Sequence, residues 1–525
     1  MLKPLPFATQ TFRTIVEDGL LYVDKTAQIY ELIRHPNGVY FLSRPRRFGK
    51  SLLISTLEEI FKGEKELFHG LWLYTSDYAW QPYPVLRIDF SWHNVTNADS
   101  LQLVIDSYIA ELAEAHGVQV NGFDYQSRFR NLISQLGKKS KVVILIDEYD
   151  KPILDNVERI SEAQRIRDIL KNFYTIIKSM DRYIRFVLIT GISKFSRVGI
   201  FSGMNNLLDL TLHPRFATLL GITEDELRSN FADYLTDFAQ NEAFEPKDLL
   251  TQMRYWYDGF RFTAEEENVY NPYSLLHSFH HRRLANFWFE SGTPTFLIKL
   301  IKERQYDVQP LEALEVPELS FSTYEIERLE LIPLLFQTGY LTIKGYRRDE
   351  FGELYTLSYP NYEVKSAFLS HLLSDYNQTE LALSESLLRR LLDALGKRDL
   401  VTFFNVLDVF FANIDYDLQV DHEKYYQTIF YLIFLLLGVR VTAEVKTNQG
   451  RIDVVIELTD HIFLFEFKLD GSAEDALQQI KGNEYYQKYA LKGKTITLVG
   501  ANFESKQRKV VAWKSEEMTP LPTTG

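Results

Sequence analysis

The stretch Val39-Tyr-Phe-Leu-Ser-Arg-Pro-Arg-Arg-Phe-Gly-Lys-Ser51 passes from an apolar run through a basic turn into the amphipathic segment Leu52-Leu-Ile-Ser-Thr-Leu-Glu-Glu-Ile-Phe61. A strand feeding a tight loop and then a helix brings backbone N–H groups and the positive end of a helix dipole to one point, as an anionic phosphate requires. Gly49, Lys50 and Ser51 supply the rest: a backbone without a side chain, an ammonium for the outer phosphates and a hydroxyl for a metal ion. The spacing G-x-x-x-x-G-K-[ST] puts its first glycine where this chain has Arg44, so the match is partial. Arg44, Pro45, Arg46 and Arg47 read either as extra phosphate contacts or as a solvated basic turn. Arg46, Arg47, Phe48, Gly49, Lys50 and Ser51 are the expected cofactor-binding residues.

The second half of the site is expected in Lys141-Val-Val-Ile-Leu-Ile-Asp-Glu-Tyr-Asp150, an apolar strand ending abruptly in acids. In an open α/β sheet that strand end faces the ligand crevice. By position, Asp147 would join Ser51 on the metal and Glu148 would act as general base. A further strand, Arg185-Phe-Val-Leu-Ile-Thr-Gly-Ile-Ser193, ends in Thr190 and Ser193, either of which is placed to sense a terminal phosphate. Arg197 and Arg215 are candidate arginine fingers, with surface ion pairs as the plainer role.

Around these motifs, short apolar runs alternate with helix-length amphipathic segments, the pattern of a parallel sheet covered on both faces. Candidate strands are 39–42, 85–90, 142–146, 186–190 and 207–212. From Thr223-Glu-Asp-Glu226, a capping-box sequence, the pattern turns helical. Residues 287–370 are mixed, broken by Gly292, Pro294, Pro333, Gly339 and Pro360, and 384–411 return to helical spacing. A division follows into a P-loop core at 1–220, a helical lid at 221–300, a mixed and helical middle region at 301–415 and a small α/β domain at 416–525.

Composition excludes several classes. The 525 residues exceed one hydrophobic core. The absence of cysteine removes disulfides, thiolate zinc sites and cysteine nucleophiles, and points to a reducing, cytoplasmic setting. No secretory signal pattern opens the sequence, and the longest apolar run, 430–439, falls short of the roughly 18 residues that span a bilayer. A net charge of −13 argues against wholesale coating of nucleic acid but leaves room for a local basic groove. The eleven histidines show no H-E-x-x-H spacing, and no serine has a G-x-S-x-G context.

Taken with Tyr22-Val-Asp-Lys-Thr26, Tyr257-Asp-Gly-Phe260 and Tyr270-Asn-Pro-Tyr-Ser274, the phosphate loop and the acidic strand end resemble the AAA-ATPase-like family of bacterial proteins. The resemblance implies an AAA-like P-loop fold, ATP and Mg²⁺ as cofactors, and tolerance of Arg44 in the loop. The Tyr22–Thr26 motif is expected to pack beside the nucleotide.

The second constellation is Gly450-Arg-Ile-Asp-Val-Val-Ile-Glu-Leu-Thr-Asp-His-Ile-Phe-Leu-Phe-Glu-Phe-Lys-Leu469. Two strands joined at Thr459-Asp460 would put Ile462, Leu464, Glu466 and Lys468 on one face and Phe463, Phe465 and Phe467 on the other. Antiparallel pairing would bring Asp453 to the same edge. Two carboxylates and a lysine so placed suit metal-dependent phosphodiester hydrolysis. They equally suit an amphipathic hairpin whose outer face carries paired charges.

Gly450-Arg-Ile-Asp453 followed by Phe465-Glu-Phe-Lys468 and Ala476-Leu-Gln-Gln-Ile480 resembles the PD-(D/E)XK nuclease superfamily, with a restriction-endonuclease-like fold. The resemblance implies Asp453, Glu466 and Lys468 as catalytic residues, with Asp453, Glu466 and Glu423 as metal ligands and Gln479 in support. The expected partner is nucleic acid, chiefly DNA, with no membrane; homo-oligomerisation is left open. The expected function is an ATPase that gates or powers a Mg²⁺-dependent nuclease. The rival is a regulatory ATPase whose C-terminal domain only binds nucleic acid or a protein.

Overall fold

In the computed structural model, the described residues are 2–194, 200–201, 204, 206–242, 245–265, 267–289, 295–304, 306, 308–321, 330–350, 352–412, 414, 422–440, 442–448, 451–482, 486–490 and 492–518. The chain forms two compact units: Met1–Gly292 with Leu311–Glu363, and Thr293–Pro310 with Val364–Gly525.

The first unit is built on five parallel strands, β1 (Gly38–Ser43), β2 (Val85–Asp89), β3 (Val142–Asp147), β4 (Ile184–Gly191) and β5 (Leu208–Asp209). Their order is β2-β3-β4-β1-β5. All six residues of β3 are buried, so β3 reads as a continuous apolar run rather than an alternating one. The run expected at 207–212 yields only two paired residues. These are Leu208 and Asp209, opposite Tyr40 and Phe41, and the Asp209 side chain pairs with Lys194 and accepts from the Thr211 N–H where this short edge strand ends.

The segment after Thr223 is helical as expected, in helices Glu224–Asn230, Ala232–Asn241, Pro246–Tyr257 and Pro272–His281. Thr223 and Glu226 form the reciprocal capping box. These helices share a core that includes Leu227, Phe231, Phe238, Met253 and Phe279. A small antiparallel sheet then follows, with β6 (Leu314–Pro317), β7 (Thr342–Asp349) and β8 (Gly352–Ser358) in the order β6-β8-β7. It is tied into the first unit where the Thr342 hydroxyl bridges both backbone groups of Arg261.

The second unit carries a five-stranded mixed sheet of β9 (Thr442–Asn448), β10 (Arg451–Glu457), β11 (His461–Leu469), β12 (Thr495–Glu504) and β13 (Lys509–Met518). The order is β13-β12-β11-β10-β9, and β11-β12 is the parallel pair. On one face Phe465 and Phe467 pack on Phe403, Phe404, Phe430 and Phe434 of helices Leu400–Ala412 and His422–Arg440. On the other, Ile462, Leu464, Ile496 and Leu498 meet Leu477 and Ile480 of helix Ala473–Gly482. The apolar run at 430–439 is thus a core helix, and among the described residues no helix is long and apolar enough to cross a membrane.

Candidate functional site

Gly49 adopts φ +94°, a conformation a side chain resists, and it opens helix Lys50–Lys62 with no side-chain cap. The first N–H groups of that helix are therefore not claimed by a capping side chain. Lys50 is buried, and its ammonium donates to the carbonyls of Arg44 (3.0 Å) and Pro45 (2.9 Å). Burial lowers its pKa, opposed by the negative charges of Asp147, Glu148 and Asp150. Ser51 follows, half-buried, in the first turn.

Arg44 is neither a phosphate contact nor a solvated turn. It is 1% exposed, donates to the carbonyls of Ser43, Thr211 and Phe216, and stacks on the Phe262 ring at 4.1 Å. Burial pushes its guanidinium down to about 9, still charged near neutrality. Where the usual loop has a glycine, this chain therefore has a buried brace. The loop is held from outside as well. Trp288 Nε1 donates to the Arg46 carbonyl at 3.1 Å, and Gly339 lies so close to Pro45 that an added Cβ would come within 2.8 Å. Arg46 and Arg47 are exposed, with the Arg47 guanidinium over the Tyr273 ring. The Phe48 side chain is buried against Phe260 and Phe262.

At the end of β3, Asp147 is fully buried. Its Oδ1 accepts from the Glu148 N–H (3.0 Å) and the Thr190 hydroxyl (2.6 Å), while Oδ2 has no hydrogen-bond partner among the described residues. Thr190 thus sits on the Asp147 carboxylate. Ser193 instead serves Asp150, which accepts from the Ser193 hydroxyl and from the N–H groups of Ile192 and Ser193. Glu148 takes φ +49°, rare for a residue with a side chain, and this re-aims it off the strand. Burial raises its carboxyl pKa, with Lys50 pulling the other way and Asp147, Asp150 and Asp89 adding to the rise. Arg197 lies outside the described residues, and Arg215 is exposed.

The Tyr22–Thr26 motif now has a physical account. Asp24 accepts from the Thr26 and Trp72 N–H groups, and Lys25 donates to Thr218 O and Glu226. Tyr22, Val23 and Lys25, with Leu52 and Leu220, line a cavity of about 110 Å³ beside Gly49.

In the second unit, Glu466 is fully buried and Lys468 Nζ lies 3.2 Å from its Oε1, with Gln479 accepting from the same ammonium. An exposed charged hairpin face is excluded, because helix Ala473–Gly482 covers it. The register sets Asp453 directly across from Glu466, as antiparallel pairing predicts. Asp453 lies on β10 and Glu423 on helix His422–Arg440, but their side chains fall outside the described residues. His461 is buried and bonds the Thr497 hydroxyl.

A protein of Azotobacter chroococcum mcd 1, described as an uncharacterized protein in the vnfD 5′ region, is 38% identical over 530 residues, spanning 98% of this chain and 99% of its own. The family model described as predicted AAA-ATPase matches residues 6–201. The chain belongs to the AAA-ATPase-like family. At the other end of this AAA-ATPase-like protein, the model of the PD-(D/E)XK nuclease superfamily matches residues 421–513. Two features of the candidate site escaped the sequence: the bracing role of Arg44, and Asp89 at the end of β2. The latter carried a legible signal, since Val85-Leu-Arg-Ile-Asp89 is an apolar run ending in an acid, as β3 is.

Proposed function

We propose that this protein is an ATPase whose nucleotide state governs a Mg²⁺-dependent phosphodiester-cleaving site acting on DNA. The observation that carries the ATPase reading is the pairing of an uncapped helix start at Gly49-Lys50 with the buried carboxylate of Asp147, whose Oδ2 is unpartnered among the described residues. The residues fit the groups. Lys50, now bonded to two loop carbonyls, would exchange them for phosphate oxygens, and Ser51 and Asp147 would hold the cation. Glu148 would orient and deprotonate the attacking water, and Thr190 would keep Asp147 in place. The cavity at Tyr22, Val23 and Leu220, apolar and adjoining the loop, would take the base. Bound Mg²⁺ supplies charge neutralisation for the phosphates.

In the second unit, Glu466 and Asp453 would bind Mg²⁺, and Lys468, oriented by Gln479, would polarise the water and offset charge on the phosphodiester. The supporting observation is the pairing of half-buried Lys468 with fully buried Glu466 at a strand register that sets Asp453 opposite.

The test incubates the full chain with plasmid and linear DNA, Mg²⁺ and ATP, beside Lys50→Ala and Lys468→Ala. Expected is cleavage that Lys468→Ala abolishes and that changes with ATP in wild type but not in Lys50→Ala. Identical DNA patterns for wild type and Lys468→Ala would leave a regulatory ATPase with a binding domain. Normal ATP hydrolysis by Lys50→Ala would remove the nucleotide assignment itself.

A further inference from the structure

We infer that Asp89 is a positioning residue for the divalent cation of the nucleotide site, holding a water of its coordination shell beside Asp147. The inference rests on the nucleotide-site reading above. β2 and β3 pair in parallel with Asp89 in register with Asp147, so the two carboxylates leave the same edge of the sheet one strand apart. Asp89 is 2% exposed and Asp147 fully buried. Each spends one oxygen on a local N–H: Asp89 Oδ1 accepts from Ser91 (2.9 Å), and Asp147 Oδ1 from Glu148. Each leaves Oδ2 without a hydrogen-bond partner among the described residues. Two buried carboxylate oxygens left in this state are costly unless a ligand completes them.

Charge gives the ligand its sign. Asp147 acts electrostatically on Asp89, and Asp89 on Glu148, so three carboxylates reinforce one another at this edge. Lys50 is the cation that answers Asp147 and Glu148. The cation nearest Asp89 is Arg87, 3.9 Å from Oδ2, and Arg87 is already committed to Glu58 at 3.0 Å. A hydrated divalent ion on Asp147 would restore balance, with Asp89 accepting from one of its waters. The strand end is rigid enough for that task, because the Tyr108 hydroxyl bonds the Asp89 carbonyl.

The test measures Mn²⁺ affinity by electron paramagnetic resonance, using the full chain saturated with a non-hydrolysable ATP analogue. Nucleotide affinity in EDTA and thermal melting are followed in parallel. Asp89→Asn keeps an acceptor for Ser91. Its expected result is unchanged metal-free nucleotide affinity with Mn²⁺ binding weakened about 10–100-fold, the usual effect of losing an outer partner of a metal site. Asp89→Glu, which keeps the charge should the asparagine variant melt early, is expected to restore most of that affinity. Arg87→Gln is expected to leave it unchanged. Wild-type Mn²⁺ affinity in Asp89→Asn, or no recovery in Asp89→Glu, overturns the assignment. Loss of nucleotide binding in Lys50→Ala alongside either result leaves the ATP-site reading intact, whereas wild-type binding in Lys50→Ala sinks that reading first.

Discussion

Arg44 replaces conformational freedom with anchorage: in place of a glycine that lets a loop bend, three carbonyls are held by one planar cation. Arg44→Gly, which restores the common motif letter, is therefore expected to destabilise the first unit by about 2–4 kcal/mol, since buried carbonyls lose their donor. Denaturant unfolding measures it. Arg44→Lys should recover little, because an ammonium cannot span the three acceptors and stack on Phe262 as the fork does. Glu148→Gln should bind ATP normally yet hydrolyse it roughly 10²–10⁴ times more slowly, the range for loss of a general base. A phosphate-release assay beside a nucleotide-binding titration separates the two quantities. Of the candidate residues, Lys50, Asp147 and Glu148 were legible because strand-loop-helix and strand-acid transitions are local patterns. The bracing role of Arg44 was not, since its acceptors at Thr211 and Phe216 lie more than 160 residues away in sequence.

Elements show the same division between local and distant causes. The five sheet strands of the first unit and the capping box at Thr223 were visible as apolar runs and a four-residue signature. In the second unit only the strand pair joined at Thr459-Asp460 was read, and the two edges, β9 and β13, carry Lys446 and Glu444, or Lys514, Glu516 and Glu517, which dilute the apolar signal. The sheet β6-β8-β7 was unreadable because Gly339 and Pro333 break periodicity, although both serve one short helix, Leu331–Thr338, that ends beside the phosphate loop. One glycine governs the second site. A Cβ on Gly500 would sit 2.4 Å from the backbone of Ala473 and Leu477, so only glycine lets helix Ala473–Gly482 settle on β12. Gly500→Ala is expected to cost about 1–3 kcal/mol, as overpacking does, and to separate Gln479 from Lys468. A melt and a cleavage assay on the same preparation test both halves of the expectation.

For the whole molecule, two compact units predict two calorimetric transitions. Saturating ATP with Mg²⁺ should raise only the one that belongs to the nucleotide unit, by about 2.7 kcal/mol at a hundredfold excess over Kd. A Lys50→Ala scan lacking that shift is the matched control. A single transition that rises as a whole would show the units melting as one.

The order of these units along the chain has its own consequence for biosynthesis. Because Leu311–Glu363 returns to the first unit after Thr293–Pro310 has joined the second, neither unit is a continuous length of polypeptide. A ribosome that has delivered everything up to residue 292 has made the phosphate loop but not Gln337, which receives the Lys194 N–H, nor Gly339 beside Pro45. The nascent loop must wait for part of its own scaffold. Gene fusions that exchange one end of this protein for another therefore cannot be cut at residue 292 without stripping that loop of its contact with Gly339.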